Sequence, residues 1–598
     1  MPEPVVWLAS AAMRLELVRI DVRPSPQDGG EASAPVSGTG VVGVGPVEVS
    51  VEPSPDGRRT VWAVANRGDA PVHLRRVRLV FRLEGSSGPV RMFRNGYQSW
   101  SPSGVATLGV DVDPSLAGAV PRLVRSTHHA DVEPAAEGEL RSEQVTVLAD
   151  AGAERLLVGF EGGRLHDGTL RLVTVEATGA PPVVELAAEA FLGGARLAAG
   201  EQRALHPVAV ATGPDHSALL EAWAARYGEV EGARVDAHYQ VGWCSWYHYF
   251  GYVTEGDLRS NLARAADWPF EVFQLDDGYQ PTIGDWLGTN DKFGSDLDEL
   301  AAAIAAAGRR PGIWLAPFLA RPDATVAMST PEWIARYRDG TKPLVGMWHP
   351  VWGGETLTLD TSNPEVQAYL EVVARDLVEA GFTYLKLDFT YAPAADGVYF
   401  DPAMTPAERV RCGYEAIRRG AGDDTFLLGC GAPLGAVVGL VDGMRIGADV
   451  APWWHREGGG EERGGYSAGE PATVNAWQNT LARSFLHRRL WLNDPDCLML
   501  RLTDTRMGPD AVRAWASAVG VSGGMALVSD DLGLLDAEAR ALLDDVVELG
   551  RASDTAAIAG APARCPDLLE AAVPGRLSAA GAELVADPSV PTSALTRP

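Results

Sequence analysis

The sequence predicts a multidomain chain: an N-terminal antiparallel β-sandwich over residues 1–230, a central (β/α)8 TIM barrel over 231–532 and a short C-terminal β module over 533–598. Three observations carry this. At 598 residues the chain exceeds what one hydrophobic core accommodates. Up to about residue 230 it consists of short β-type runs broken by Gly, Pro and Asp. From about residue 238 short apolar strands alternate with amphipathic helices, the texture of repeated βα units.

The first part is read from runs such as VGPVEVSVEPSPDG, RTVWAVANRGDAPVHLRRVRLVFRL and RLLVGFEGG, whose spacing and turn signals suit an antiparallel sandwich. A helical stretch, HSALLEAWAARYG (216–228), leads into the next domain. The second part holds eight candidate strands, at 241–246, 271–276, 311–317, 383–388, 425–430, 443–448, 489–494 and 525–530. Eight βα units over this length match a closed barrel better than an open sheet. The clearest intervening helix opens at Ser362-Asn363-Pro364, a cap with proline at the first helical position, and stops at Gly381. Val366, Tyr369, Leu370, Val373 and Leu377 recur along it at helical spacing and give one buried face. After the helix LDAEARALLDDVVELG the chain ends in an Ala/Pro/Gly-rich, partly β-like segment.

Composition narrows the partners. The chain is 46% hydrophobic and 22% charged, an ordinary globular balance, and its formal charge is −28. That excess repels nucleic acid and anionic membranes and suits a neutral small molecule. The cysteines Cys244, Cys412, Cys430, Cys497 and Cys565 are scattered and odd in number, with no CxxC pair, so neither a disulfide framework nor a structural zinc site is expected. MPEPVVWLASAAMRLELVRI lacks the basic region and long apolar run of a signal peptide, and no 18-residue apolar run occurs elsewhere, so the expected location is cytoplasmic.

Polar residues crowd the C-terminal ends of the predicted barrel strands: Trp246, Asp276 and Asp277, Asp388, Cys430, Asp449, Asp494, Asp530 and Asp531. Barrels of this class place their active sites at that end. A strand has period two, so Lys386 and Asp388 share one face and Leu385 and Leu387 the other. The leucines pack outward against helices, which turns the lysine and aspartate into the barrel mouth. The same parity groups Arg445, Gly447 and Asp449. Two carboxylates, each with a cation earlier on its own strand, thus converge on one pocket. Glycoside hydrolysis needs such a pair, one carboxylate ionised and one holding a proton. The cation beside Asp388 is expected to lower its pKa, and a drier setting around Asp449 to raise that one. Asp276-Asp277 also read as a divalent-metal pair, but no third carboxylate or histidine completes a set nearby, and no metal or other cofactor is expected. Lys386 as a Schiff-base lysine of an aldolase-like barrel is the reading from another class. Cys430 as a nucleophile lacks a partnered histidine.

Nine strings in order resemble glycoside hydrolase family 36, the melibiase-type α-galactosidases: NGYQSW (95–100), GWCSWYHYF (242–250), FQLDDGY (273–279), IGDWL (283–287), GIWLAPF (312–318), YLKLDF (384–389), LGCGAPL (428–434), DGMRIGADVAPWW (442–454) and WLNDPDCL (491–498). The resemblance implies a retaining exo-α-galactosidase acting on terminal galactosyl residues of small oligosaccharides, with Asp388 as nucleophile and Asp449 as acid/base. It implies Asp276 and Asp277 as ligands of the sugar's 4- and 6-hydroxyls, and Lys386 and Arg445 as hydroxyl-binding cations. Trp246 and Trp314 would be pocket-wall aromatics, Cys430 a residue beside the 2-position, and Trp100 a residue that the sandwich sends across to the pocket. Carboxylates that accept from vicinal hydroxyls, at ~1.5–3 kcal/mol per charge-assisted bond, are what separates axial from equatorial O4. Residues 341–355 (TKPLVGMWHPVWGGE) match none of these strings and are expected to shape the rim. Alanine precedes Asp449 where the family often has proline, and the C-terminal module is shorter than usual, which leaves homo-oligomer formation open. An α-N-acetylgalactosaminidase and a raffinose-synthase-like galactosyl transferase remain alternatives within the same chemistry.

Overall fold

The computed structural model describes residues 6–9, 13–25, 30–36, 40–86, 88–112, 122–177, 179–456 and 470–597. Two antiparallel sheets form the N-terminal part. One has the spatial order Val6–Ala9, Arg14–Pro24, Val72–Glu84, Ala180–Leu197, Asp167–Ala177, Leu140–Glu143, with Ala32–Pro35 paired beside Arg14–Pro24. The other runs Gly40–Val44, Val47–Pro53, Arg59–Asn66, Gln202–Gly213, Arg155–Phe160, Val145–Ala149, Arg91–Arg94, Gly104–Thr107. Alternate residues of both point inward: Leu15, Leu17, Val77, Leu79, Phe81 and Leu186 of the first meet Val49, Trp62, Val64, Leu156 and Val158 of the second in one core. This is the two-layer packing that alternating strands dictate.

The central part is a parallel barrel of eight strands: β1 (Val241–Cys244), β2 (Val272–Leu275), β3 (Arg310–Leu315), β4 (Tyr384–Leu387), β5 (Phe426–Gly429), β6 (Gly443–Arg445), β7 (Leu492–Asp494) and β8 (Ala526–Val528). Each lies within or against a run that the sequence marks as a strand. Hydrogen bonding is continuous from β7 back through β6, β5, β4, β3, β2 and β1 to β8. Between β7 and β8 there is no ladder; the Met525 N–H donates to Asn493 O at 2.9 Å, and Leu498 bridges Val528, so the ring is nearly closed. Pro364–Glu379 is helical as its cap predicts, with the Asn363 side chain accepting from the Glu365 N–H and with Val366, Leu370, Val373 and Leu377 buried.

Residues 341–355 are not irregular. Val345–His349 and Gly354–Thr358 pair as a hairpin, with Leu319–Ala320 as a third strand, between β3 and β4. At the other end, Ala537–Ile558 packs on Pro509–Ser522, and Arg576–Ala579, Ala582–Asp587 and Thr592–Thr596 form a three-stranded antiparallel sheet. That module is fastened to the barrel by indole donors: Trp477 to Pro574 O and Trp454 to Pro588 O, both at 2.8 Å.

Residues 98–103 of the sandwich reach the barrel, and one fully buried guanidinium holds that segment. Arg483 donates from Nε to Ser103 Oγ (2.9 Å), from Nη1 to Ser99 O (2.8 Å) and Ile446 O (2.6 Å), and from Nη2 to Gln98 O (3.1 Å) and Ser101 O (3.0 Å). No carboxylate lies within ion-pair distance of it among the described residues, and burial pushes its pKa down to about 9. Gly96 belongs to the same joint, since a Cβ there would lie 2.6 Å from Arg483 Nη2 and 2.5 Å from Ser101 O. Replacing Arg483 by Met removes every one of these donors and leaves buried carbonyls unpaired. Unfolding of R483M in denaturant is expected to show a loss of about 3 kcal/mol or more, with R483K falling between it and the parent.

Candidate active site

At the C-terminal ends of the barrel strands lies a cleft of about 410 Å³, counting space open to solvent, within the usual range for small-molecule pockets. Eight of the ten residues marked in the sequence line it: Trp100, Trp246, Asp276, Asp277, Trp314, Lys386, Asp388 and Asp449. Cys430 and Arg445 stand behind its wall, both buried.

The floor is a charged lattice. Lys386 Nζ is 2.9 Å from Asp276 Oδ2 and 3.9 Å from Asp388 Oδ2, so the lysine reaches across the barrel and pairs first with β2's carboxylate. Asp276 also accepts from Gln274 Nε2, and its own N–H donates to Ser245 Oγ at 2.9 Å. Burial opposes the charge on Lys386, but Asp276 and Asp388 outweigh it and hold the ammonium well above its ordinary range. Asp277 accepts from Gln280 Nε2 at 2.6 Å and Trp352 Nε1 at 2.8 Å. Burial nevertheless pushes its carboxyl up to about 6, aided by Asp276 and Asp388.

Asp388 is oriented by two donors, Trp314 Nε1 on Oδ2 at 3.1 Å and the Phe389 N–H on Oδ1 at 2.8 Å. Phe389 itself has φ of 53°, a left-handed conformation held here by packing against Trp100 and Trp352. Burial raises the Asp388 carboxyl above 3.8; Lys386, the hydrogen-bonding Cys430 thiol and Arg445 act against this without cancelling it. The expected net lowering by Lys386 therefore does not hold, because that ammonium is closer to Asp276 and because desolvation is the larger effect.

Asp449 accepts from Arg445 Nη2 at 2.8 Å, and its side chain is 33% exposed against 10% for Asp388. The drier carboxylate is thus Asp388, the reverse of the expectation. Asp449 lies beyond the end of β6, on the open side of the cleft. Arg445 also touches the Tyr247 hydroxyl (2.9 Å) and Asp496 (2.7 Å).

Trp100 arrives from the sandwich and packs edge-on to Phe389, its ring 2.9 Å from where a Cβ at Gly431 would stand; Gly431, at φ of +55°, gives it room. The buried indole N–H of Trp100 meets no acceptor among the described residues. Four lining residues escaped the sequence reading: Tyr247, His349, Trp352 and Phe389. Tyr247 and Phe389 adjoin marked residues inside GWCSWYHYF and YLKLDF, which was their signal. His349 and Trp352 come from the rim hairpin, with rings 4.6 Å apart, and carried no signal beyond the aromatic density of MWHPVW. Burial pushes the His349 imidazole down, opposed by nearby Asp449.

A family model described as melibiase matches residues 241–394. The α-galactosidase AgaA of Geobacillus stearothermophilus is 28% identical over 137 residues, 21% of this chain and 18% of that protein. The bifunctional α-galactosidase/sucrose kinase AgaSK of Mediterraneibacter gnavus is 28% identical over 155 residues, 24% of this chain and 16% of that protein. The matched stretch thus spans less than a fifth of either relative's length. Among solved structures, the α-galactosidase TtGalA from Thermus thermophilus, in complex with p-nitrophenyl α-D-galactopyranoside, superposes with a TM-score of 0.66 at 28% identity, covering 89% of this chain and 98% of that one. The strand-end motifs, the architecture and these likenesses agree: the chain is similar to melibiase-type α-galactosidases in sequence over residues 241–394 and in fold over most of its length.

Proposed function

We propose that the chain is a retaining exo-α-galactosidase that removes terminal α-D-galactosyl residues from small oligosaccharides. The observation that carries the reading is that Asp388 and Asp449, from β4 and the end of β6, line one cleft floored by Asp276, Asp277 and Lys386. In the first step Asp388 attacks the anomeric carbon while Asp449 gives its proton to the departing oxygen; in the second, Asp449 takes a proton from water as that water displaces Asp388. The Trp314 and Phe389 N–H groups on Asp388 support its role as the attacking carboxylate, and the greater exposure of Asp449 supports its role as proton donor to a departing group. Asp276, Asp277, Lys386 and the free Trp100 N–H are the hydroxyl-binding groups, and the aromatic wall faces the C–H side of the sugar.

TtGalA has been captured with an aryl α-galactoside and with stachyose, which supports galactose as the sugar and an oligosaccharide as the substrate. Cys430 is buried behind the cleft wall rather than lining the cleft, which supports galactose over an N-acetylated sugar on that side. A Schiff-base role for Lys386 requires a neutral amine, whereas its two carboxylate neighbours keep it charged. The expected cytoplasmic location is kept as part of the proposal; among the described residues no helix is long and apolar enough to cross a membrane.

A panel of chromogenic sugars tests the reading. Aryl α-galactoside is expected to be cleaved, with loss of roughly 10³-fold or more in Asp388→Ala and a rescue of that variant by azide giving β-galactosyl azide. Asp449→Ala should lose most on leaving groups that need a proton. Cleavage of aryl α-glucoside alone, or full activity in Asp388→Ala, removes the proposal. The pH profile gives a second check. Asp388 must be ionised to attack, so activity falls as pH drops through its pKa. Because burial raises that pKa, the acidic limb of kcat/KM is expected above 3.8, and Lys386→Met should move it higher again by roughly one unit. Asp277 supplies a stability test. Its carboxyl is pushed up to about 6, so its ionisation opposes folding, an effect absent below 3.8 and complete above about 6. Asp277→Asn is therefore expected to gain stability relative to the parent as pH rises from about 4 to about 7, by up to about 3 kcal/mol, measured as the change in unfolding midpoint.

A further inference from the structure

Asp496, two residues past β7 in WLNDPDCL, is a buried acid that the mechanism above does not use. Its backbone has φ of 90°, which residues with side chains rarely adopt, so its surroundings must hold it there. They do so through the carboxylate, which is 3% exposed. Oδ2 accepts from the Tyr247 hydroxyl at 2.5 Å and the Val450 N–H at 2.8 Å and lies 2.7 Å from Arg445 Nη2. Oδ1 accepts from the Cys497 N–H at 2.7 Å, and the Asp496 N–H donates to Asp494 Oδ1 at 2.9 Å.

Two of these contacts bear directly on Asp449. Val450 is its neighbour in the chain, so the Val450 N–H fixes the backbone on which Asp449 rides. Arg445 Nη2, the atom that meets Asp496, is also the atom that donates to Asp449 Oδ1. One cation is thus divided between two carboxylates. A guanidinium devoted to Asp449 alone would favour its ionised form and weaken it as a proton donor. Among the described residues, the other groups facing Asp449 are Tyr247 from the segment after β1, Asp388 after β4, Cys430 after β5 and His349 from the rim hairpin. None of them is a buried carboxylate that also holds Arg445.

We propose that Asp496 is a positioning residue for general-acid catalysis: it shares the Arg445 guanidinium with Asp449 and pins Val450, and so sets the aim of Asp449 as proton donor. This rests on the assignment of Asp449 as acid/base.

The test compares the parent with Asp496→Asn, which removes the charge and keeps the size, on two α-galactosides of different leaving-group demand. On melibiose, whose sugar leaving group needs a proton, kcat/KM is expected to fall roughly 10-fold or more, with the alkaline limb moving to lower pH by about one unit. On dinitrophenyl α-galactoside, which departs without a proton, most of the activity should remain. An unchanged alkaline limb, or an equal loss on both substrates, overturns the proposal. Should D496N fail to fold, Asp496→Glu displaces the carboxylate by one methylene and is judged by the same two criteria, with a smaller shift in the same direction. Inactivity of the parent on both substrates would instead sink the galactosidase reading itself, and so is told apart from a failure of this inference.

Discussion

Charge imbalance is the constraint on which the barrel mouth depends. Asp276, Asp277, Asp388, Asp449 and Asp496 gather around two buried cations, Lys386 and Arg445. In a desolvated site so many carboxylates cannot all ionise at their ordinary values. The protein distributes the strain unevenly. Asp276 takes the shortest contact with Lys386, Arg445 bridges Asp449 and Asp496, and burial leaves Asp388, Asp277 and Asp496 with raised carboxyls that neighbouring cations or hydrogen-bond donors relieve only in part. Under the proposed function such a lattice would discriminate between sugars, because one that leaves a group without a hydroxyl partner incurs its full desolvation penalty.

A second dependence runs between domains. Trp100 belongs to the sandwich but lines the barrel's cleft, so the pocket wall is complete only while the two parts are docked. Arg483 makes that docking specific by binding Gln98, Ser99, Ser101 and Ser103 through backbone and hydroxyl oxygens rather than through a carboxylate. Neutral acceptors leave the guanidinium's charge uncompensated, which fits a joint formed once during folding rather than one that opens and closes. The same side chain holds Ile446 O, three residues before Asp449, and so ties the sandwich loop to the strand that carries the proposed acid.

How much of this was legible follows from what a strand pattern contains. Period-two parity gave the face on which Lys386, Asp388 and Arg445 lie, and eight marked residues meet in one cleft. Parity says nothing of cross-barrel neighbours, so it could not show that Lys386 reaches Asp276 on β2 in preference to Asp388 beside it. Nor does it report solvent access past a strand end, which is why the relative dryness of Asp388 and Asp449 came out reversed. Trp352 and His349 were hidden for another reason: their hairpin lies between β3 and β4, outside the barrel's repeat, and a tryptophan in a connecting segment looks the same whether it faces water or a pocket. Asp496 lies past the strand end that Asp494 marks, in a segment to which strand parity does not apply.

The rim hairpin has one more consequence. Trp352 sits in its turn region, with Val351 exposed beside it, yet its indole N–H is a direct partner of Asp277 at the far side of the cleft. The segment that differs from the family's strings is therefore mechanically continuous with the group proposed to recognise the sugar's hydroxyls. Adaptation in this lineage cannot treat the two ends of a substrate as separate problems: any drift in hairpin length that suits a bulkier aglycone also perturbs the acceptor that selects the glycone. Only changes that preserve the Trp352 anchor leave the entrance free to vary.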